Sequence, residues 1–202
     1  MRSSNSPKKS SGATAPESLF RGERQFDLPP LLFLDFDDVI CLSRQYGGYD
    51  CFSADPPADL WETLWHPPAV QTLQAIVAEY RPQVVLTTSW LRLSDDRTWF
   101  ESLFKRTGLE AVANVLHEHW DAPQERGDTR LQAIERWLSR RYEGERIVVL
   151  DDAASGTGLS GSRLDATGCV VLCEVGVGLH AGHLKSVELA LRSQRQSVSG
   201  WP

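Results

Sequence analysis

The sequence predicts an α/β fold: a parallel sheet with helices on both faces. Three short apolar runs carry that prediction, Leu31-Leu32-Phe33-Leu34, Val84-Val85-Leu86 and Ile147-Val148-Val149-Leu150. Each is continuous rather than alternating, the pattern of a strand buried on both faces, and each stops abruptly at polar residues. Between them lie stretches of helical periodicity. Buried strands alternating with amphipathic helices specify parallel crossover units.

Taken in order, residues 1–28 are rich in Ser, Pro, Gly and charge and read as a disordered leader. A single domain is expected over residues 29–192, opened by Pro29-Pro30, with a disordered tail at 193–202. After the first strand, residues 41–66 are aromatic and aperiodic, and read as a flap. Pro67-Pro68 then open a helix with Val70, Leu73, Ile76, Val77 and Tyr80 on one face, closed before Pro82. A second helix runs through Trp99, Leu103 and Phe104 to Gly108, with Asp95-Asp96 as its cap. A short strand is expected over residues 111–116. Residues 129–141 form a helix with Leu131, Ile134, Trp137 and Leu138 inward. Residues 168–173 supply a further strand and residues 180–192 a last helix. The expected architecture is Rossmann-like with a minimal cap, since some 25 inserted residues are too few for an independent cap domain.

Composition narrows the function classes. The chain has 202 residues, 41% hydrophobic and 24% charged, with a net charge of −6. That suits one globular domain and disfavours a dedicated nucleic-acid surface. The N-terminal stretch has no apolar segment after its charges, so neither a signal peptide nor a membrane span is expected. The four cysteines, Cys41, Cys51, Cys169 and Cys173, form no CxxC pair and read as free thiols of a cytoplasmic protein.

Ligands of an open α/β sheet bind beyond the carboxyl ends of the strands. Three strands here end in polar groups at that edge: Asp35-Phe36-Asp37-Asp38, Thr87-Thr88-Ser89 and Asp151-Asp152. Converging carboxylates repel by several kcal/mol at an effective dielectric of about 20, and a divalent cation removes the conflict. Hard oxygen donors suit Mg²⁺. In Asp35-x-Asp37, residues two apart on a strand share a face, so one carboxylate can attack phosphorus while the other protonates the leaving group. A transferring phosphoryl group also needs donors: Thr88 or Thr87, backbone N–H groups and a cation such as Arg130, with Arg92 as a competitor.

The run from Leu31 to Val39, a hydrophobic strand followed by Asp35-Phe36-Asp37-Asp38-Val39, resembles the first motif of the haloacid dehalogenase superfamily. Val84-Val85-Leu86-Thr87-Thr88 is similar to its second motif, and Val148-Val149-Leu150-Asp151-Asp152 to its fourth. The resemblance covers about residues 30–192. Thr87-Thr88-Ser89-Trp90 and Arg130-x-x-x-Ile134-x-x-Trp137-Leu138 are most similar to small bacterial members with minimal caps, some associated with RNA-repair proteins.

The resemblance implies Asp35 as nucleophile and metal ligand, and Asp37 as general acid and base with a metal-binding carbonyl. It implies Thr88, favoured over Thr87 by alternation and family pattern, as the phosphate-holding hydroxyl, and Asp151 with Asp152 as the remaining metal ligands. The activity implied is Mg²⁺-dependent hydrolysis of a phosphomonoester through an aspartyl-phosphate. The substrate class stays open among small molecules, nucleotides and nucleic-acid ends, as does the oligomeric state. Two departures stand out: Asp38 replaces the usual Gly, and Arg130 the usual Lys, which it does not match in geometry. Both support an alternative, a non-catalytic binding or regulatory module. A response-regulator receiver is disfavoured because the acids come in the wrong order.

Other features read as structural. His66, His117 and His119 are expected to be surface histidines, and Gly156-Thr157-Gly158-Leu159-Ser160-Gly161 a flexible turn without the GxxxxGK[ST] pattern. Tyr46, Tyr49, Phe52, Trp61 and Trp65 either roof the core or stack on a planar substrate group.

Overall fold

The computed structural model describes residues 28–42 and 46–193; the expected leader, apart from Leu28, and the tail beyond Ser193 lie outside them. Five strands form one parallel sheet: β1 (Leu31–Leu34), β2 (Gln83–Leu86), β3 (Leu116–Asp121), β4 (Ile147–Asp152) and β5 (Val170–Cys173), in the order β3-β2-β1-β4-β5. The eight helices described are α1 (Gly48–Cys51), α2 (Leu60–Thr63), α3 (Pro67–Tyr80), α4 (Arg97–Arg106), α5 (Glu110–Ala113), α6 (Arg130–Arg141), α7 (Arg163–Ala166) and α8 (Leu184–Ser193). None of them is long and apolar enough to cross a membrane.

Alternation along the strands divides the core. Leu32, Leu34, Val84 and Leu86 face one way and pack with α3, α4, α5 and α8. Leu31, Phe33, Val85, Ile147 and Val149 face the other way and pack with α6 and α7. All four residues of β1 are fully buried, and side chains of this size contribute about 1.5–3 kcal/mol each on burial. Helices on both faces explain why the central strands carry no polar alternation.

Most predicted elements appear within a residue or two. The helix after Pro67 buries Ala69, Leu73, Ile76 and Val77, and Arg81 ends it in a left-handed conformation at φ 46° just before Pro82. Asp96 caps α4, its carboxylate accepting from Thr98 N at 2.8 Å. The strand expected at 111–116 is corrected. Residues 110–113 instead make a single helical turn that packs against α4 and buries Val112 and Ala113. The strand begins at Leu116 and continues through His-Glu-His-Trp-Asp. As an edge strand with one neighbour it tolerates polar residues, which hid it in the sequence.

The insert between β1 and α3 holds two single-turn helices rather than an independent cap. Trp65 lies in the core, Phe52 stacks on Trp99 at 4.1 Å, and Arg106 sits over the Trp61 ring at 4.0 Å. Tyr46 donates to Asp59, while Tyr49 is 83% exposed. Roofing and packing thus account for four of the five aromatics. His117 is buried, contrary to the surface expectation: its ring meets Trp137 edge-on at 5.0 Å, and its Nδ1 accepts from His119 N. His66 and His119 are half-buried.

Candidate active site and metal centre

The order in which strands are added reverses at β1. From there β2 and β3 extend the sheet to one side, and β4 then enters on the other side of β1. The carboxyl ends of β1 and β4 therefore lie side by side, at the switch point where α/β sheets open a crevice. Leu34 pairs with Leu150, and Asp35 N donates to Leu150 O at 3.0 Å, so Asp35 at the end of β1 lies level with Asp151, which continues in β4 beside β5.

Asp35, Asp151 and Asp152 are all buried, and each offers a carboxylate oxygen within 4.8 Å of the others. Arg130, at the first turn of α6 and 1% exposed, reaches into this cluster. Its Nη2 donates to Asp35 Oδ1 at 3.0 Å, and its Nε lies 2.8 Å from Asp151 Oδ2 as an ion pair off hydrogen-bond alignment. Nη1 has no hydrogen-bond partner among the described residues. Two local devices set the arginine in place. Thr129 and Gln132 form a capping box around the start of α6, and Thr157 Oγ1 accepts from Arg130 N at 2.9 Å. The Gly156–Gly161 loop is thus a support for α6 rather than a loose turn. Gly156 is required there, since a Cβ would lie 2.6 Å from the Asp152 carbonyl oxygen.

Burial pushes the Asp35 carboxyl up to about 8; Asp151 and Asp37 add to the rise and Arg130 opposes it. Burial likewise raises Asp151, to about 6, against the pull of Arg130. Ser155, unrecognised in the sequence, places its hydroxyl 3.1 Å from Asp35 Oδ2 and 3.2 Å from Asp151 Oδ1, and also against Asp152 Oδ2. One hydroxyl proton cannot serve three carboxylates. Three buried acids against one arginine leave an uncompensated negative charge, which is costly in a dry site. The residues therefore fit a hard divalent cation held by oxygen donors.

The flanking residues divide into two groups. In register with Asp35 across the sheet, Thr87 continues the face of Val85, and its buried hydroxyl has no hydrogen-bond partner among the described residues. Thr88 lies on the opposite alternation and its Oγ1 accepts from Trp90 N at 3.3 Å, capping the turn Ser89–Arg92. The preference for Thr88 thus meets a register in which Thr87 is the hydroxyl beside Asp35. Asp37 stands outside the triad, with Ser89 and Trp90 donating to its carboxylate. Asp38 takes a left-handed φ of 54°, the conformation Gly would adopt most easily, and its Oδ1 accepts from Gly176 N at 2.8 Å. Its charge is engaged with the loop after β5. Arg92 is exposed at the end of its turn.

A Rossmann-like sheet with Asp-x-Asp after β1, a hydroxyl pair after β2, a buried cation on α6 and Asp-Asp at β4 defines a haloacid dehalogenase-like domain. Residues 31–184 match the family described as the HAD domain in Swiss Army Knife RNA repair proteins, and the chain belongs to that family. No curated protein and no solved structure matches the chain. The family carries a hydrolase-type function and typically uses a divalent metal, which the Asp triad is suited to bind.

Proposed function

We propose that the chain is a Mg²⁺-dependent phosphomonoester hydrolase that works through an aspartyl-phosphate on Asp35. The observation that carries this is the convergence of Asp35 with Asp151, Asp152 and Arg130 in one buried cluster. Asp35, Asp151, Asp152 and the Asp37 carbonyl would hold Mg²⁺, which when bound neutralises charge on the phosphate and keeps Asp35 ionised. A carboxylate oxygen of Asp35 forms a bond to phosphorus as the ester P–O bond breaks, and Asp37 gives a proton to the departing oxygen. Asp37 then takes a proton from water. The water oxygen attacks the acyl-phosphate, inorganic phosphate leaves, and the Asp35 carboxylate is restored. Arg130 Nη1 and the Thr87 hydroxyl, both buried and without partners among the described residues, are the donors available to the phosphoryl oxygens.

The family's name links it to RNA repair, and a phosphate at a nucleic-acid end is the substrate class that link supports; a nucleotide or small ester uses the same chemistry. Four free buried thiols suit a reducing compartment, and the cytoplasm is the proposed location. The test is hydrolysis of an aryl phosphate with Mg²⁺ by wild type, Asp35→Asn and chelator-treated protein. Activity lost in both controls is the expected result. A wild type that neither turns over any ester nor gains thermal stability from Mg²⁺ returns the chain to the non-catalytic reading.

A further inference from the structure

Asp37 is held in a way the chemistry of the triad does not require. Ser89 Oγ donates to its Oδ2 at 3.0 Å, and the single indole N–H of Trp90 lies 3.1 Å from both Oδ1 and Oδ2. An N–H shared by both oxygens fixes the plane of the carboxylate, which otherwise rotates freely about χ2.

The indole itself has little freedom. Trp90 is 2% exposed, meets Phe36 edge-on at 5.2 Å and lies nearly parallel to Trp65 at 5.7 Å. On another side Gly48, the first residue of α1, is so close that a Cβ there would be 2.9 Å from the ring. Main-chain support comes from Thr88, whose side chain caps the turn that carries both donors.

A buried indole needs some acceptor, and a backbone carbonyl would satisfy it equally well. Asp37 is half-buried and open to water, so it needs neither donor for its own solvation. Two adjacent side chains nevertheless converge on it from a clamped turn. Proton transfer demands an oriented donor within hydrogen-bond reach of the leaving oxygen, and small misplacements are costly.

We propose that Trp90, together with Ser89, is the positioning element for proton transfer by Asp37, aligning the carboxyl with the leaving-group oxygen. This rests on the phosphatase reading above. It also ties the insert to the chemistry, because Gly48 bears on the ring that orients the acid.

Leaving-group dependence separates this role from a packing role. From dinitrophenyl phosphate the phenolate departs without a proton, whereas the glycerol oxygen of glycerol phosphate needs one to leave. The quantity measured is kcat/KM, which reports the steps up to transfer of phosphate to Asp35, for both esters with Mg²⁺. Trp90→Phe keeps a ring and removes the N–H. It is expected to lose roughly 10–100-fold on glycerol phosphate, part of the 10²–10⁴ that general acid catalysis supplies, and less than about 3-fold on dinitrophenyl phosphate. Ser89→Ala, which leaves the aromatic packing untouched, is expected to show the same selectivity at roughly 3–10-fold, and decides the matter if Trp90→Phe does not fold. Equal losses on the two esters in Trp90→Phe and Ser89→Ala, or no loss, overturn the proposal while the phosphatase reading stands. A wild type inactive on both esters and not stabilised by Mg²⁺ defeats that reading and the proposal together.

Discussion

Replacing Arg130 with Met would remove the one cation among the described residues that contacts the buried acids, while keeping most of the side-chain volume. In the wild type the guanidinium lies 3.0 Å from Asp35 and 2.8 Å from Asp151, with every partner at most 1% exposed. Removing one side of a buried ion pair costs about 3–5 kcal/mol, because the remaining charge is stranded away from water. In a domain of this size each kcal/mol lowers Tm by about 2–4 °C, so Arg130→Met should melt roughly 6–20 °C lower in chelator. Mg²⁺ should raise the Tm of the variant more than that of the wild type, since the ion then provides the missing positive charge. Acid should also narrow the gap, as protonation of Asp35 and Asp151 removes the charges Arg130 was offsetting. Calorimetric melting at pH 5 and pH 8, with Mg²⁺ or chelator, measures all three effects. A variant melting within about 2 °C of wild type in chelator at pH 8 would refute the electrostatic account of the cluster.

Three further outcomes are expected. Asp35 is raised from 3.8 to about 8, so between those values the folded metal-free protein keeps a proton that the unfolded chain releases. Its stability should fall as pH rises through that window, by up to ~1.4 kcal/mol per pH unit, and Asp35→Asn should remove this slope in urea titrations. For the same reason Mg²⁺ binding at pH 7 should release close to one proton, seen in calorimetry as a dependence on buffer ionisation enthalpy; identical heats in all buffers would count against it. At Asp38, Asp38→Gly relieves the left-handed backbone but loses the bond to Gly176, and should stay within about 1 kcal/mol of wild type; Asp38→Ala gains no such relief and should cost about 1–2 kcal/mol by denaturant unfolding.

Legibility in the sequence followed how local each signal was. β1 and β4 were plain because a strand covered on both faces is written as an unbroken apolar run, and the acids that follow mark its end. Strand β3 was hidden, since Leu116-His117-Glu118-His119-Trp120-Asp121 carries polar residues an edge can expose. The apolar Ala111-Val112-Ala113 mimicked a strand although it forms a helical turn. The triad could be assembled from two strand ends, and Arg130 from the first turn of a helix. Ser155, Thr157 and the Trp90–Asp37 contact could not, because each depends on a bond between segments that only the folded chain brings together. The pairing of Leu34 with Leu86 sets Thr87 level with Asp35 and Thr88 on the opposite alternation, a one-residue matter that a single sequence does not display.

The position of β4 beside β1 also orders events during synthesis. β1, β2 and β3 can pair as they emerge, but one edge of β1 stays open until Ile147 arrives to pair with Leu31, far along the chain. Until then a fully apolar strand presents unpaired backbone, the kind of edge that recruits other chains. Parallel pairing over so long a loop is slow, and the interval is a window for misassembly on the ribosome. Asp35 sits at the end of that open strand, and Asp151 and Asp152 lie on the strand that closes it. The acid triad is therefore assembled only once that edge is covered.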